Sequence, residues 1–353
     1  MTLHYLPLEI LEERYTRQMY HTCVHTMQSR SIPFKEYHGK VLVNETNPDE
    51  FLSPASRAHF SSTQTSAFVS ALERGEVKDG DTVFVSDLWH IGMEGISYAS
   101  QMKEIDIRVY AISYAGPFWP HDLLTLRFTS DWGKLQEIAW MYQCDGIFFG
   151  SDDHLETVVK GVSDIVGPSI ARDINSKSIV TGLVWDNSWV KEKSNTYFGD
   201  RPIVLWPHRI APTRNVQEFY KLANDLSSPY PEVRWVISSS RINSNVVVPP
   251  PLEFITVTKA DYYSLVAQSC VVVSTGLQES FGYTVHEATA LGTPVLCPRR
   301  SSYPETILTE TNLYDTYDEL CDKTKSAIHN ELPIANLLRR RYFNQMLDTM
   351  GYS

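Results

Sequence analysis

The segment from Ser269 to Cys297 leaves this chain few folds to choose from. It begins with Ser269-Cys-Val-Val-Val-Ser274 and ends with Thr293-Pro-Val-Leu-Cys297. Both are short β-branched runs of the kind that fill the middle of a parallel sheet. Between them lie Glu279-Ser-Phe-Gly-Tyr-Thr-Val-His-Glu287 and then Ala-Thr-Ala-Leu-Gly292, with Leu291-Gly292 placed to close a helix at a glycine. The order strand, loop, helix, strand follows. In such a unit the first backbone N–H groups of the helix have no partner inside it, so the loop and helix start form an anion site. Two carboxylates, Glu279 and Glu287, flank Gly282 there.

Elsewhere the chain keeps the same alternation. Leu3-His-Tyr-Leu-Pro-Leu8 predicts a first strand, residues 9–30 a helix with apolar positions three and four apart, and residues 31–43 a second strand. Residues 44–57 are polar and proline-interrupted, which predicts a loop, and residues 58–74 a helix. Thr82-Val-Phe-Val-Ser86 reads as a buried strand; further strands are expected within 105–113 and 146–150, and helices around 93–103, 131–142 and 154–166. Elements of these lengths in alternation imply α/β architecture with parallel, doubly wound sheets. The polar, irregular stretch 186–202 reads as the connection between two such domains. The expected division is a first domain at 1–190, a linker at 191–201, a second domain at 202–330, and a C-terminal helix within 331–353 packing back toward the first domain.

Composition narrows the classes of function. At 353 residues, 42% hydrophobic and 21% charged, the chain has apolar material for two cores. It contains no run of eighteen apolar residues, and Met1-Thr-Leu-His-Tyr5 lacks the basic and apolar stretches of a signal peptide, so a cytoplasmic protein is expected. Cys23, Cys144, Cys270, Cys297 and Cys321 are scattered without a C-x-x-C pair, the pattern of reduced thiols and not of a disulfide framework or zinc site. A formal charge of −11 works against a nucleic-acid partner. Arg299-Arg300 and the Arg339-Arg340-Arg341 run, expected on a helix, leave room for a local basic cleft.

The Glu279 to Glu287 pattern, with Phe281-Gly282 inside it and Ala288-Thr-Ala290-Leu-Gly292-Thr-Pro-Val295 after it, resembles the donor-site signature of retaining GT-B glycosyltransferases. The resemblance is to the glycosyl-group-1, family-4-like type that includes sucrose-phosphate synthases. Two further segments extend it, Val204-Leu-Trp-Pro-His-Arg209-Ile-Ala-Pro-Thr-Arg214 and Tyr303-Pro-Glu305-Thr-Ile. Together they cover roughly residues 202–310. The implied fold is GT-B, two Rossmann-like doubly wound domains facing across a cleft. In the family, two basic residues five apart meet the donor diphosphate. Arg209 and Arg214 keep that spacing, although the second is more often lysine and the usual glycine before the first is here His208.

The chemistry that the resemblance implies is glycosyl transfer from a nucleotide-diphosphate sugar, UDP-glucose first among donors, with retention at the anomeric carbon. Negative charge gathers on the departing diphosphate, and fixed cationic donors there lower the barrier. Arg209 and Arg214 would supply them, their planar forks suited to phosphate oxygens. Ser280, Phe281, Gly282, Tyr283 and Thr284 would wrap the donor, with Gly282 admitting close backbone approach. Glu287 would hold the ribose hydroxyls and Glu279 would sit beside the transferred sugar, stabilising positive charge. No metal and no cofactor beyond the nucleotide sugar is expected. The plainer alternatives are a first-turn glutamate complementing the helix dipole for Glu287 and a solvated loop acid for Glu279.

The N-terminal half is less informative. The family's glycine-rich loop after the first strand is replaced by Leu8-Glu9-Ile-Leu-Glu-Glu-Arg14-Tyr15-Thr16, which has no glycine. Asp87 and His90, in Ser86-Asp87-Leu-Trp89-His90-Ile-Gly92, and Trp119, in the stretch from Ser113 to Asp122, are candidates for sugar or acceptor contacts at strand ends. Asp79-Gly-Asp81 superficially matches a metal-binding Asp-x-Asp, but its place before a strand predicts a turn. The opening of the chain faintly resembles bacteriophage glycosyltransferases, which suggests hydroxymethylated pyrimidine in DNA as one acceptor, rotated out of the duplex. A polysaccharide, glycolipid or small glycoside acceptor is the alternative within the class. A non-catalytic nucleotide-sugar-binding protein is the alternative outside it.

Overall fold

The computed structural model describes residues 1–11, 14–42, 53–114, 116–121, 125, 130–239 and 248–352. The chain divides into two compact units, Met1–Trp185 together with Arg340–Ser353, and Asp186–Arg339. Each is built on one parallel six-stranded sheet with helices between strands.

In the first unit the strands are β1 (Leu3–Leu6), β2 (Phe34–Glu36), β3 (Thr82–Val85), β4 (Arg108–Ser113), β5 (Gly146–Phe149) and β6 (Ser178–Val180), in spatial order β2-β1-β3-β4-β5-β6. β1, β3 and β5 are buried along their whole length, which explains their unbroken apolar sequence. Leu3 pairs with Phe34 on one side and Thr82 on the other, so β1 is where strand order reverses. The core joins strand residues such as Val83, Val85, Val109 and Ile147 to Phe68, Trp140, Val158 and Ile174 of the helices.

The second unit repeats the plan with β7 (Ile203–Trp206), β8 (Arg234–Ser239), β9 (Leu252–Thr256), β10 (Val271–Val273), β11 (Val295–Pro298) and β12 (Leu313–Tyr314), ordered β12-β11-β10-β7-β8-β9. Here the reversal lies at β7, which pairs with β8 and β10. Open parallel sheets leave a crevice beyond the carboxyl ends of the strands that flank such a reversal. Asp87 and His90 follow β3, Arg209 and Arg214 follow β7, and Glu279 follows β10.

Several sequence expectations shift. The first helix spans Tyr15–Ser29, not residues 9–30, and ahead of it the Glu9 carboxylate is buried 2.7 Å from Arg57. The helix expected from 58 begins at Pro54: proline is tolerated in a first turn, and Ser53 caps the Ser56 N–H at 3.3 Å. Most of the loop expected at 44–57 lies outside the described residues, as does Asp122. Ser151 caps a helix that runs from Asp152. The turn at Asp79-Gly80-Asp81 has Gly80 at φ +78°, and Asp81 accepts from the Lys78 and Thr2 N–H groups. The arginine run precedes the last helix (Tyr342–Thr349) instead of riding on it; Arg340 bonds to Asp152 and to the Val180 carbonyl.

The polar stretch after Asp186 is ordered against the second unit. It forms a short 3-10 helix (Asn187–Glu192) that buries Trp189 and Val190. Ser194 and Thr196 then donate to Asp261, and the Phe198 N–H donates to Gln268. Among the described residues no helix is long and apolar enough to cross a membrane.

Candidate active site

At the reversal of the second sheet, the turn after β7 and the loop after β10 are tied together by hydrogen bonds. The Thr275 hydroxyl donates to the carbonyls of Arg214 and Asn215 and accepts from the Trp206 indole at 2.9 Å, and the Leu277 N–H donates to the Thr213 carbonyl. Gly276 lies so close to its neighbours that a Cβ there would stand 3.1 Å from the Tyr303 hydroxyl and 3.8 Å from an Arg214 nitrogen. The geometry brings Arg214 onto Glu279, Nη1 to Oε2 at 2.5 Å, with side chains 21% and 14% exposed. A carboxylate held this way keeps an open side toward solvent while its charge is neutralised from behind.

Backbone contacts fix Glu279 further. Its Oε1 accepts from the N–H groups of Ser280 and Phe281, at 3.1 and 3.4 Å. Its own N–H donates to the Ser301 hydroxyl, which donates back to its carbonyl at 2.9 Å. Burial alone would raise this carboxyl, but the charge and hydrogen bond of Arg214, with help from the Phe281 N–H, hold it below the usual carboxylate range. Burial likewise opposes the Arg214 charge, and Glu279 and Tyr303 more than compensate, so the guanidinium is held firmly cationic. Tyr303 also shares a 2.7 Å hydrogen bond with Ser274.

The helix Tyr283–Ala290 opens at Gly282, whose φ of +84° and ψ of +58° are left-handed, and it closes through Gly292 at φ +80°. Phe281 turns inward and stacks on His286 at 4.2 Å, while Tyr283 stacks on Trp189 at 5.8 Å. Ser280 is buried, and Thr284 is half-buried. Glu287 is 2% exposed and already has partners: Lys259 at 2.5 Å and the Tyr262 hydroxyl at 2.8 Å, with Tyr263 at 3.4 Å. Arg209 is exposed. The residue before it, His208, is 7% exposed, its ring edge-on to Trp206 at 5.1 Å.

The structure therefore brings Arg214, Glu279 and the 280–282 backbone into one contact set and gives Glu287 a separate one. Tyr303 opens one of the motif segments, but Lys259, Tyr262 and Trp189 are not among the sequence candidates. Their links to the motif join elements many residues apart, and neither composition nor periodicity signals such pairings.

In the first unit, Asp87 and His90 line a small cavity beyond the ends of β1 and β3 with Pro7, Arg57 and Gln64. Arg57 bridges Glu9 and Asp87, at 2.7 and 3.3 Å. Asp87 also accepts from the Trp89 N–H. Burial, aided by the Arg57 charge, pushes His90 down to about 4 and so keeps it neutral. Trp119 is 3% exposed and lies 4.9 Å edge-on to His154; it is not part of that cavity lining. Among the described residues no three His, Cys, Asp or Glu side chains group as metal ligands.

No protein-family model matches the chain. Solved structures with the same architecture include a sucrose-phosphate synthase from Thermosynechococcus elongatus, at TM-score 0.64 and 14% identity over 94% of this chain and 90% of that one. A trehalose-6-phosphate synthase studied for glycosyl transfer with retention matches at TM-score 0.61 and 10% identity, over 99% and 95%. The E. coli trehalose-6-phosphate protein bound with UDP-2-fluoro glucose matches at 0.60 and 10%, over the same shares. These neighbours are GT-B glycosyltransferases, and the fold of this chain is GT-B, α/β with two parallel sheets.

Proposed function

We propose that this protein is a retaining glycosyltransferase that moves a sugar, with UDP-glucose as the favoured donor, to a hydroxyl acceptor. The observation that carries the reading is the Arg214–Glu279 pair at the reversal of the second sheet, beside the glycine-opened helix start. Two neighbours in fold, a synthase studied for transfer with retention and a protein bound with a UDP-sugar, agree with it.

In this reading Arg214 and Arg209 bind the diphosphate and stabilise the charge it gathers on leaving, so no metal is needed. Glu279 stays ionised and faces the positive charge that builds at the anomeric carbon. The acceptor hydroxyl attacks from the face the diphosphate leaves and passes its proton to a departing phosphate oxygen. The bond to the diphosphate breaks as the bond to the acceptor forms, on one face, which retains configuration. Glu287, with lone pairs beyond those taken by Lys259 and Tyr262, holds the ribose hydroxyls. Within the first unit, Asp87, His90 and Trp119 are the proposed sugar or acceptor contacts, the first two at its small cavity.

The test is incubation with UDP-glucose and a panel of acceptors: oligonucleotides with hydroxymethylcytosine, hydroxymethyluracil or ordinary bases, and free saccharides. Products are weighed by mass spectrometry and released UDP is measured. The expected result is one added hexose on a single acceptor class, with turnover cut about a hundredfold or more in Glu279→Gln. UDP affinity in that variant should stay within a few-fold. UDP binding with neither product nor UDP release would replace the enzyme by a nucleotide-sugar-binding protein.

A further inference from the structure

His208 stands at the carboxyl end of β7, between buried Trp206 and the turn that carries Arg214. The site described above gives it no task. Its side chain is 93% buried, from a 7% exposure, yet among the described residues Nε2 has no hydrogen-bond partner. A buried imidazole nitrogen left unpaired is destabilising, and proteins that keep one usually have a use for it. The ring is held edge-on to Trp206 at 5.1 Å, so it is positioned, not loose. Burial first, then the nearby Arg214 charge, push its pKa down to about 3 against the pull of Glu279, so the ring is neutral at ordinary pH. A neutral imidazole carries one N–H, and its tautomer can place that hydrogen on Nε2.

What such a group can recognise follows from its neighbours. Arg214 is committed to Glu279, and Arg209 directly follows His208 in the chain. A ligand drawn by those guanidinium groups is anionic and rich in acceptor oxygens. A neutral N–H beside them adds a directed hydrogen bond without adding charge. We propose that His208 is a donor-binding residue whose Nε2–H bonds a phosphate oxygen of the nucleotide-sugar diphosphate. The inference rests on the transferase reading above and names a binding group within it. That nitrogen gains a partner when the diphosphate binds, and it holds the leaving group in place as the sugar departs.

The test uses the full chain with UDP as the probe, alongside uridine, which lacks the phosphates. Three variants are compared with the parent: His208→Phe, which keeps a ring but no nitrogen; His208→Gln, whose amide donor reaches a position like Nε2; and His208→Ala. The expected outcome for His208→Phe is a melting temperature equal to or above the parent without ligand, with UDP binding at least about tenfold weaker and uridine binding unchanged. His208→Gln should recover part of the UDP affinity and part of the turnover, and His208→Ala neither. UDP affinity and turnover of His208→Phe within twofold of the parent, while the parent binds UDP, would overturn the assignment and leave the transferase reading standing. A parent that binds no nucleotide diphosphate would overturn both.

Discussion

At the scale of single residues, the two glutamates of the motif occupy opposite electrostatic situations. Glu279 faces one guanidinium and two backbone N–H groups and retains 14% exposure, the state of a carboxylate that still has a surface to offer. Glu287 is closed in by a lysine and two tyrosine hydroxyls. Removing one partner of a buried, hydrogen-bonded charge leaves the other uncompensated, whereas removing both charges can be nearly neutral. Lys259→Met should therefore destabilise the protein by about 1–3 kcal/mol. The further change Glu287→Gln, made in that background, should return part of the loss. Denaturant unfolding of the two single variants and the double variant measures this coupling. Simple additivity would mean that the pair does not act as a unit, and that Glu287 is held by its tyrosines alone. On the proposed ribose role of Glu287, removal of Lys259 should alter nucleotide affinity along with stability.

At the scale of elements, the helix Tyr283–Ala290 is bounded by two glycines with nearly the same backbone, φ +84° at Gly282 and φ +80° at Gly292. An alanine at either site meets the same left-handed strain, on the order of 1–2 kcal/mol. At Gly292 an added Cβ has nothing within 4 Å; at Gly282 it would touch Val285 at 3.4 Å and the Glu279 side chain at 3.7 Å. The two alanine variants should thus lose similar stability, while Gly282→Ala alone loses transferase activity. Equal activity in the two would show that the start of this helix does not serve the site. This helix was also the element most legible in the sequence, because local signals specify it: a glycine at each end and β-branched runs on either side. The first helix starts later than its apolar spacing predicts, and Glu9 ahead of it is engaged by Arg57, a long-range pair that local sequence does not signal. The next helix starts at Pro54 inside a polar, proline-bearing stretch, because proline breaks a helix interior but is tolerated in its first turn. In the site itself, Arg214 and Glu279 are named by the resemblance of their segments to a donor-site signature. Their contact is not, since it needs Thr275 and Leu277 to join two loops more than sixty residues apart.

At the scale of the whole molecule, both units bury neutral histidines. In the first unit burial, with Arg57, pushes His90 down to about 4, and burial pushes His154 down to about 3. His4 is also lowered, by burial acting against Asp81. In the second, burial brings His208 to about 3 and His286 to about 4. An unfolded histidine titrates near 6.5, so below that pH the unfolded chain binds protons that the folded chain refuses. The resulting stability is fully present above pH 6.5 and is lost as pH falls toward 4, by about 1.4 kcal/mol per pH unit for each such histidine. The depressed carboxylates behave differently: Glu279, held low by Arg214 against burial, and Asp81, held low by the Thr2 and Lys78 N–H groups against burial, contribute stability above the ordinary carboxylate range. Theirs is lost only as pH falls through their lowered values, beneath the histidine window. Urea unfolding followed from pH 7.5 to pH 4.5 should therefore show a steep loss beginning just below 6.5, in both units. His154→Phe, which keeps an aromatic ring against Trp119 and Phe149, should flatten that loss by the equivalent of one proton. A stability curve level from pH 6.5 to 5 would mean that these imidazoles take up protons in the folded state, and the neutral His208 on which the diphosphate contact depends would fall with them.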